Sequence, residues 1–251
     1  VSVGAKNKYY FVNTRTPFNE ESVARICKDK YFSYLLLEHL IRSPKTDNFL
    51  DPATKEEYHQ YLKERSQEEI VQKIVSNYKL PVVVKRNTGA QGVNVFLCKT
   101  EAEVKEAIAK IFDKESKDYD YVALVQEYID LKAEFRIISY EKQIQFVYEK
   151  DIKSASYEDN LSPLHWRGAK AVLVHDDGFI EQLNDFLLPI YKEFNLNYAG
   201  FDIGLDKEGK LWLIEVNTHP GFGYFVKDNG EDELVTMFKR ILKSLQDKKL
   251  I

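Results

Sequence analysis

The chain has 251 residues, 44% of them hydrophobic and 30% charged, with a formal net charge of -4. This composition excludes a disordered segment, and so mild an acidity gives no electrostatic reason to expect a nucleic-acid partner. No apolar run approaches the roughly 20 residues that span a bilayer, and the first residues lack a signal-peptide pattern, so no membrane role is expected.

Cys27 and Cys98 are too few for a disulfide framework and read as reduced core thiols of a cytoplasmic protein. The length allows one large domain or two lobes sharing a cleft. The chain opens without Met, as a fragment of a longer protein would.

In chain order, Asn19 is expected to cap a helix that has Glu20 and Glu21 in its first turn and runs to about Ile41. Pro44 and Pro52 bracket a loop. After a polar stretch from Lys55, Ser66-x-x-Glu69 reads as a capping box opening a short helix through Ile70, Ile74 and Val75. PVVVK (81–85) is a buried strand by composition; a polar turn with glycines (86–92) leads to a second strand, VNVFLC. Thr100-x-x-Glu103 caps a helix carrying Val104, Ile108 and Ile111, and a further strand ends near Ile129. EFRIISY and QIQFVYEK pair about Glu141 and Lys142, and residues 151–170 are irregular and polar. Leu183, Phe186, Leu187, Ile190 and Phe194 repeat with helical spacing. FDIGL and KLWLIEVN flank the turn Asp206-Lys207-Glu208-Gly209, and Leu234, Phe238, Ile241, Leu242 and Leu245 mark a closing helix. There is no internal repeat. Hairpin groups with interspersed helices, without regular βαβ alternation, give an α+β class.

Several constellations carry chemistry. If Leu205 pairs with Lys210, Asp202 lies opposite Leu213, and Asp202, Glu215 and Asn217 share one sheet face. Asp202 and Glu215 are then diagonal neighbours about 7–8 Å apart at the backbone, able to grip one ion. Glu215 sits inside the apolar run LWLIEV, where a carboxylate is costly without a cation or metal. Oxygen-only ligands suit Mg2+; the bland alternative is a salt-bridged, solvated hairpin face. Lys85 followed by RNTGAQGVN suits a phosphate cover, although an ordinary hairpin turn has the same pattern and no Walker A sequence follows. Lys30 falls on the apolar helix face with Val23, Cys27, Tyr34 and Leu37, either snorkelling to water or reaching a phosphate. LVQEYI breaks into a polar segment with Glu134 and Arg136, where edge backbone groups could meet a purine and Glu134 ribose hydroxyls. His165, Trp166 and Arg167 are placed to touch substrate, Arg167 foremost as a bidentate anion ligand. No Ser-His-Asp, Cys-His or zinc spacing stands out.

In chain order these signals read DK, VVVK with a Gly turn, VQEYI, EFR, FDIG and IEVNTHPGF. That order resembles the ATP-grasp superfamily over nearly the whole chain, and is similar to D-alanine–D-alanine ligases and to ligases that add glutamate to protein or peptide carboxylates. The resemblance implies two α+β lobes with antiparallel sheets clasping ATP: a leading helical segment (1–77), a small lobe (78–129) and a large lobe (130–251). It implies phosphate-binding roles for Lys30 and Lys85, and a loop over the phosphates at 88–94 with Thr88, Gly89 and Gly92, mobile until nucleotide binds. It implies an adenine hinge at Gln126, Glu127, Tyr128 and Ile129, a ribose ligand in Glu134, and magnesium ligands in Asp202, Glu215 and Asn217. Asn160, with Leu161, Arg167 and Gly168, is similar to the Asn-Leu segment that faces phosphate and acceptor, and Lys150 to another phosphate-side lysine.

The implied chemistry is ADP-forming ligation. A carboxylate attacks the γ-phosphate to give an acyl phosphate, and an amine, on an amino acid or peptide, displaces phosphate while the closed lobes exclude water. Two departures stand out. The D-alanine–D-alanine ligases carry an arginine two residues before the metal aspartate; here that position is Gly200, leaving its oxyanion role vacant or to Arg136 or Arg167. The family also usually has an amino-terminal lobe, where here only a short stretch precedes the Lys30 helix. The rival readings are an ATP-grasp small-molecule kinase and a non-catalytic ATP-binding regulatory module; a homo-oligomer is left open.

Overall fold

The computed structural model describes residues 9–12, 14–89, 92–156 and 161–247. The expected first helix is broken in two. α1 (Glu21–Lys28) and α2 (Lys30–Leu37) meet at Asp29, whose carboxylate accepts the Phe32 amide and so caps α2 rather than continuing α1. Asn19 does not cap α1. Its Oδ1 accepts the amides of Asn197 and Tyr198, and its Nδ2 donates to the Tyr198 carbonyl, tying the start of the chain to a distant strand.

The segment between Pro44 and Pro52, expected as a loop, contains β1 (Thr46–Leu50), whose polar start conceals the strand. α3 (Gln67–Asn77) is capped by Ser66, but Glu69 reaches the Arg65 amide, so the expected box is half formed. β2 (Val82–Arg86) and β3 (Val95–Cys98) form a hairpin, and α4 (Glu101–Ile111) has the complete Thr100/Glu103 capping box. β4 (Val122–Glu127), β5 (Leu131–Tyr140) and β6 (Gln143–Asp151) follow, the last two turning at Glu141 and Lys142, both with positive φ. Residues 151–170 end in a short strand, β7 (Lys170–Leu173). α5 (Asp177–Glu193), β8 (Tyr198–Asp206), β9 (Leu211–Asn217), α6 (Gly223–Asn229) and α7 (Asp232–Asp247) complete the chain.

A four-stranded antiparallel sheet has the order β1-β4-β2-β3, and a five-stranded one β7-β6-β5-β8-β9. α3 and α4 cover the first through Ile70, Ile74, Ile108 and Ile111. The leading residues 1–77 are divided between the sheets: β1 and α3 belong to the smaller, while Val23, Cys27 and Leu37 of α1 and α2 pack with α5 on the larger.

The larger sheet explains why a cleft exists. On one face, Phe135, Ile137, Phe201 and Ile203 are buried under α1, α2 and α5. On the other, alternate residues split into two stretches. Ile138, Tyr140, Phe146 and Tyr198 pack against Phe225, Met237 and Ile241 of α6 and α7. Each such side chain contributes about 1.5–3 kcal/mol on burial. Continuing along the same face by twos, β5 presents Arg136 and Glu134, β6 Lys150, and β8 Asp202. One face is thus apolar where helices cover it and ionic where the smaller sheet stands over it.

Candidate active site

The β8–β9 register differs from the expected one twice. The turn closes with Asp206 N donating to the Lys210 carbonyl and Gly209 at φ +81°, so Leu205 pairs with Leu211. A β-bulge between Asp202 and Ile203 then places Asp202 opposite Glu215 rather than Leu213. Either shift alone would turn β9 over; together they amount to two residues and restore the face. Asp202, Glu215 and Asn217 line the same cavity, and the two carboxylates are direct rather than diagonal neighbours.

Neither carboxylate is free. Asp202 accepts Arg136 Nε at 2.5 Å and Nη2 at 2.8 Å, and Lys150 Nζ lies 2.9 Å from its Oδ1. Lys150 also donates to Glu134, and Lys30 Nζ sits 3.1 Å from Glu215 Oε1 while donating to the Gly89 carbonyl at 2.7 Å. Burial alone would raise the Asp202 carboxyl; Arg136, then Lys150, overcome it and hold the group down at about 2. Glu134 is raised by burial against the pull of Lys150. Lys150 is raised: burial works to lower it, but Asp202 and Glu134 outweigh that. Among the described residues, the cavity is lined by six cations, Lys30, Lys85, Arg86, Arg136, Lys150 and Lys227, and four carboxylates, Glu127, Glu134, Asp202 and Glu215, so positive charge is in excess. That balance favours a polyanion over a bare cation.

Lys85 is buried with a neutral partner, donating to Gln126 Oε1 at 3.0 Å; burial lowers its pKa to about 8 against the opposing influence of Glu215. Gln126, expected as a hinge residue, is thus also the prop of Lys85, itself held by Thr46 Oγ1 at 2.9 Å. Thr88 is an anchor: its amide (2.7 Å) and hydroxyl (2.8 Å) both donate to Asp120 Oδ2, so neither is spare for a phosphate. Asn87 accepts the amides of Lys30 and Tyr31, fastening the loop's base to the start of α2. Asp120 and Asn87 give no sign in the sequence, because both partners lie far along the chain.

The chain leaves the strand ladder at Tyr128, and Val83, Val95, Ile129, Leu131 and Ile214 give the cavity an apolar lining. The Glu127 carboxylate is taken by the Lys45 amide, facing away from a ligand role. Glu134, expected at a ribose, is occupied by Lys150. The cavity of about 710 Å³ is also lined by Leu161 and His165, both expected near substrate, and by Tyr224 and Lys227, which sequence reasoning missed because α6 is short and its pattern weak. Arg167 is exposed and does not line this cavity; its carbonyl accepts the Ser156 amide. Asn160 lies outside the described residues.

Gly200 stands beneath Arg136. A Cβ there would come within 2.8 Å of Pro220 Cβ and 3.1 Å of Arg136 Cδ, so the neighbouring strand's arginine fills the space that a side chain at 200 would need. The donor set Asp202, Glu215 and Asn217 is all oxygen and fits magnesium. Among the described residues no group of three or more His, Cys, Asp or Glu forms a cage, so phosphate oxygens would have to complete the coordination.

Comparison with known proteins agrees with this geometry. The model of the RimK-like ATP-grasp domain matches residues 34–241. A probable alpha-L-glutamate ligase of Stutzerimonas stutzeri is 29% identical over 154 residues, 61% of this chain and 47% of the relative. The ribosomal protein bS6–L-glutamate ligase of Escherichia fergusonii is also 29% identical over 154 residues, with the same shares. The chain therefore spans about half the length of the curated relatives it matches. In fold it is similar to D-alanyl-alanine synthetase A from Vibrio cholerae, with a TM-score of 0.59 and 18% identity, over 85% of this chain and 64% of that one. With that match spanning both sheets and the cleft between them, the chain belongs to the RimK-like ATP-grasp family.

Proposed function

We propose that this domain joins a carboxylate to an amine, converting ATP to ADP through an acyl phosphate. The observation that carries the reading is one cavity of about 710 Å³ lined by the apolar residues beside 126–129, by several cations with two facing carboxylates, and by Leu161, His165 and Tyr224 as well. A module that only held ATP would not need so large a cavity.

In this reading the apolar lining beside 126–129 takes adenine, and Lys30, Lys85 and Lys150 exchange their present partners for phosphate oxygens. Asp202, Glu215 and Asn217 would hold magnesium, which neutralises charge on the transferring phosphoryl group. Arg136, projecting across Gly200, supplies the guanidinium for the oxyanion that forms when the amine adds to the acyl carbon. Arg167 has no part in this cleft. The amine is an amino acid, in keeping with relatives named for L-glutamate and D-alanine. The thiols of Cys27 and Cys98, pushed up by burial to about 12 and about 11, stay protonated, which fits a reducing cytoplasm.

The test is ADP release by the full-length protein with L-glutamate, L-glutamyl-L-glutamate and D-alanine as acids, with hydroxylamine present as trap. A hydroxamate is expected. ADP release with a phosphorylated alcohol and no hydroxamate would instead establish the kinase rival.

A further inference from the structure

The geometry points to a catalytic dyad lining the cavity: His165, held by Tyr224, accepts the proton that the incoming amine must lose. This assignment rests on the ligase reading above. An amine exists in water mainly as an ammonium, whose nitrogen has no lone pair to offer. Ligation therefore needs a base near the acyl carbon.

His165 closes a short 3-10 helix (Pro163–His165), and Tyr224 lies in α6; both line the cavity that contains Asp202 and Glu215. Tyr224 Oη and His165 Nδ1 are 3.0 Å apart, and the rings meet edge to face with centroids at 5.2 Å. When Nδ1–H donates to the phenol oxygen, Nε2 keeps its lone pair, and Nε2 has no hydrogen-bond partner among the described residues. Burial, then the nearby Lys150 charge, lowers the imidazole pKa, which keeps the ring in its neutral form, able to accept a proton, though it makes the ring a weaker base.

Among the described residues, the charged and titratable groups around the ring are Tyr224 and Lys227 from α6 and Lys150 from β6. The supports are rigid. Leu164 belongs to the same buried cluster as Tyr148 and Phe146, and Phe225, next to Tyr224, sets its ring tilted at 4.8 Å from Phe146 and 5.1 Å from Tyr148. α6 is fastened to β7 by Asp228, which accepts the Ala171 amide, and by Asn229, which donates to the Ala171 carbonyl. Such a shell fixes a dyad in place, as a catalytic base requires.

The step balances as follows. The ammonium passes one proton to His165 Nε2, giving an imidazolium and a free amine. The nitrogen lone pair forms a bond to the acyl carbon, and the carbon–oxygen bond to phosphate breaks with its electron pair on oxygen. The second amine proton leaves with the phosphate as its monohydrogen form. The imidazolium then returns its proton to water.

The experiment compares two nucleophiles on one acyl phosphate, using whichever of L-glutamate, L-glutamyl-L-glutamate and D-alanine gives the strongest hydroxamate. Hydroxylamine is already unprotonated at neutral pH and needs no base; an amino acid does. In His165→Gln the ratio of amide to hydroxamate should fall by about 10²-fold or more at pH 7. It should recover as pH rises and the amine deprotonates itself. Tyr224→Phe, which releases the tautomer, should lower the ratio less. A merely structural role would depress both products together, and an unchanged ratio in His165→Gln overturns the assignment while leaving the ligase reading intact. Wild type without any hydroxamate overturns that reading and this one with it.

Discussion

The two walls of the cleft treat buried charge in opposite ways. On the larger sheet, Glu134, Lys150, Asp202 and Arg136 form an unbroken chain of ion pairs, each ion facing its opposite. On the smaller sheet, Lys85 is buried with the amide oxygen of Gln126 as its hydrogen-bond partner and with no ion pair among the described residues, and burial lowers its pKa to about 8. The first wall is complete by itself and yields its partners only by exchange. The second is held short of a counter-charge, so an arriving phosphate gains what the folded chain lacks. Lys30 stands between, paired with Glu215 across the gap.

The largest contrast should appear in stability. Asp202→Ala leaves Arg136 buried without a carboxylate partner and Lys150 with Glu134 alone, and should cost about 3–5 kcal/mol in urea unfolding. Lys85→Met removes a strained charge and should gain on the order of 1 kcal/mol at pH 7. Equal losses in both variants would erase the distinction between the walls.

Next comes turnover. Glu215→Gln keeps the volume and the fold but weakens the ion site, so ADP formation should drop by about 10²- to 10³-fold at saturating magnesium. Near-normal turnover would remove Glu215 from the metal site. Free Mg2+ without nucleotide should give no calorimetric binding signal, since the cleft already carries excess positive charge.

Lys30→Met should weaken ATP by about tenfold or more while leaving adenosine unchanged, because a charge-assisted contact to phosphate is worth about 1.5–3 kcal/mol. Calorimetry that shows the same ATP affinity in variant and wild type would confine Lys30 to its pairing with Glu215.

The Lys85 titration sharpens the comparison through pH. Between about pH 8 and the ordinary lysine value, the unfolded chain binds the proton that folded Lys85 has released, so this group makes stability rise with pH across that window. Nucleotide affinity runs the other way: it is full below about pH 8 and falls by up to about tenfold per unit above it. Lys85→Met should flatten both slopes.

The smallest effect concerns the phosphate loop. Bound ATP analogue should slow amide exchange at Gly89, Gly92 and Val93, but hardly at Thr88, whose amide Asp120 already holds. Protection confined to 126–129 would return the loop to an ordinary hairpin turn.

Much of the fold was legible because its signals are local. The Thr100/Glu103 box, the Glu141-Lys142 turn and the helical spacing of Leu183, Leu187 and Ile190 each act within a few residues, and each reappears in the structure. β1 was missed because TDN has no apolar period; it becomes a strand only by pairing with β4. The long first helix was overextended because Asp29 reads as an ordinary helix residue until its side chain turns to cap α2.

For the site, the sequence by itself determined which residues have the right chemistry and, through the period of two, which share a face. Asp202, Glu215 and Asn217 could be grouped that way even from a wrong register, since the two errors summed to an even number. Only the tertiary structure decided who neutralises whom: Arg136 on Asp202, Gln126 under Lys85, Asp120 on Thr88, Tyr224 on His165. Those pairs are set by bulges, by the crossing of two sheets and by helices folding back from far along the chain. No local periodicity encodes them, because each partner's position depends on packing that exists only once both cores have formed.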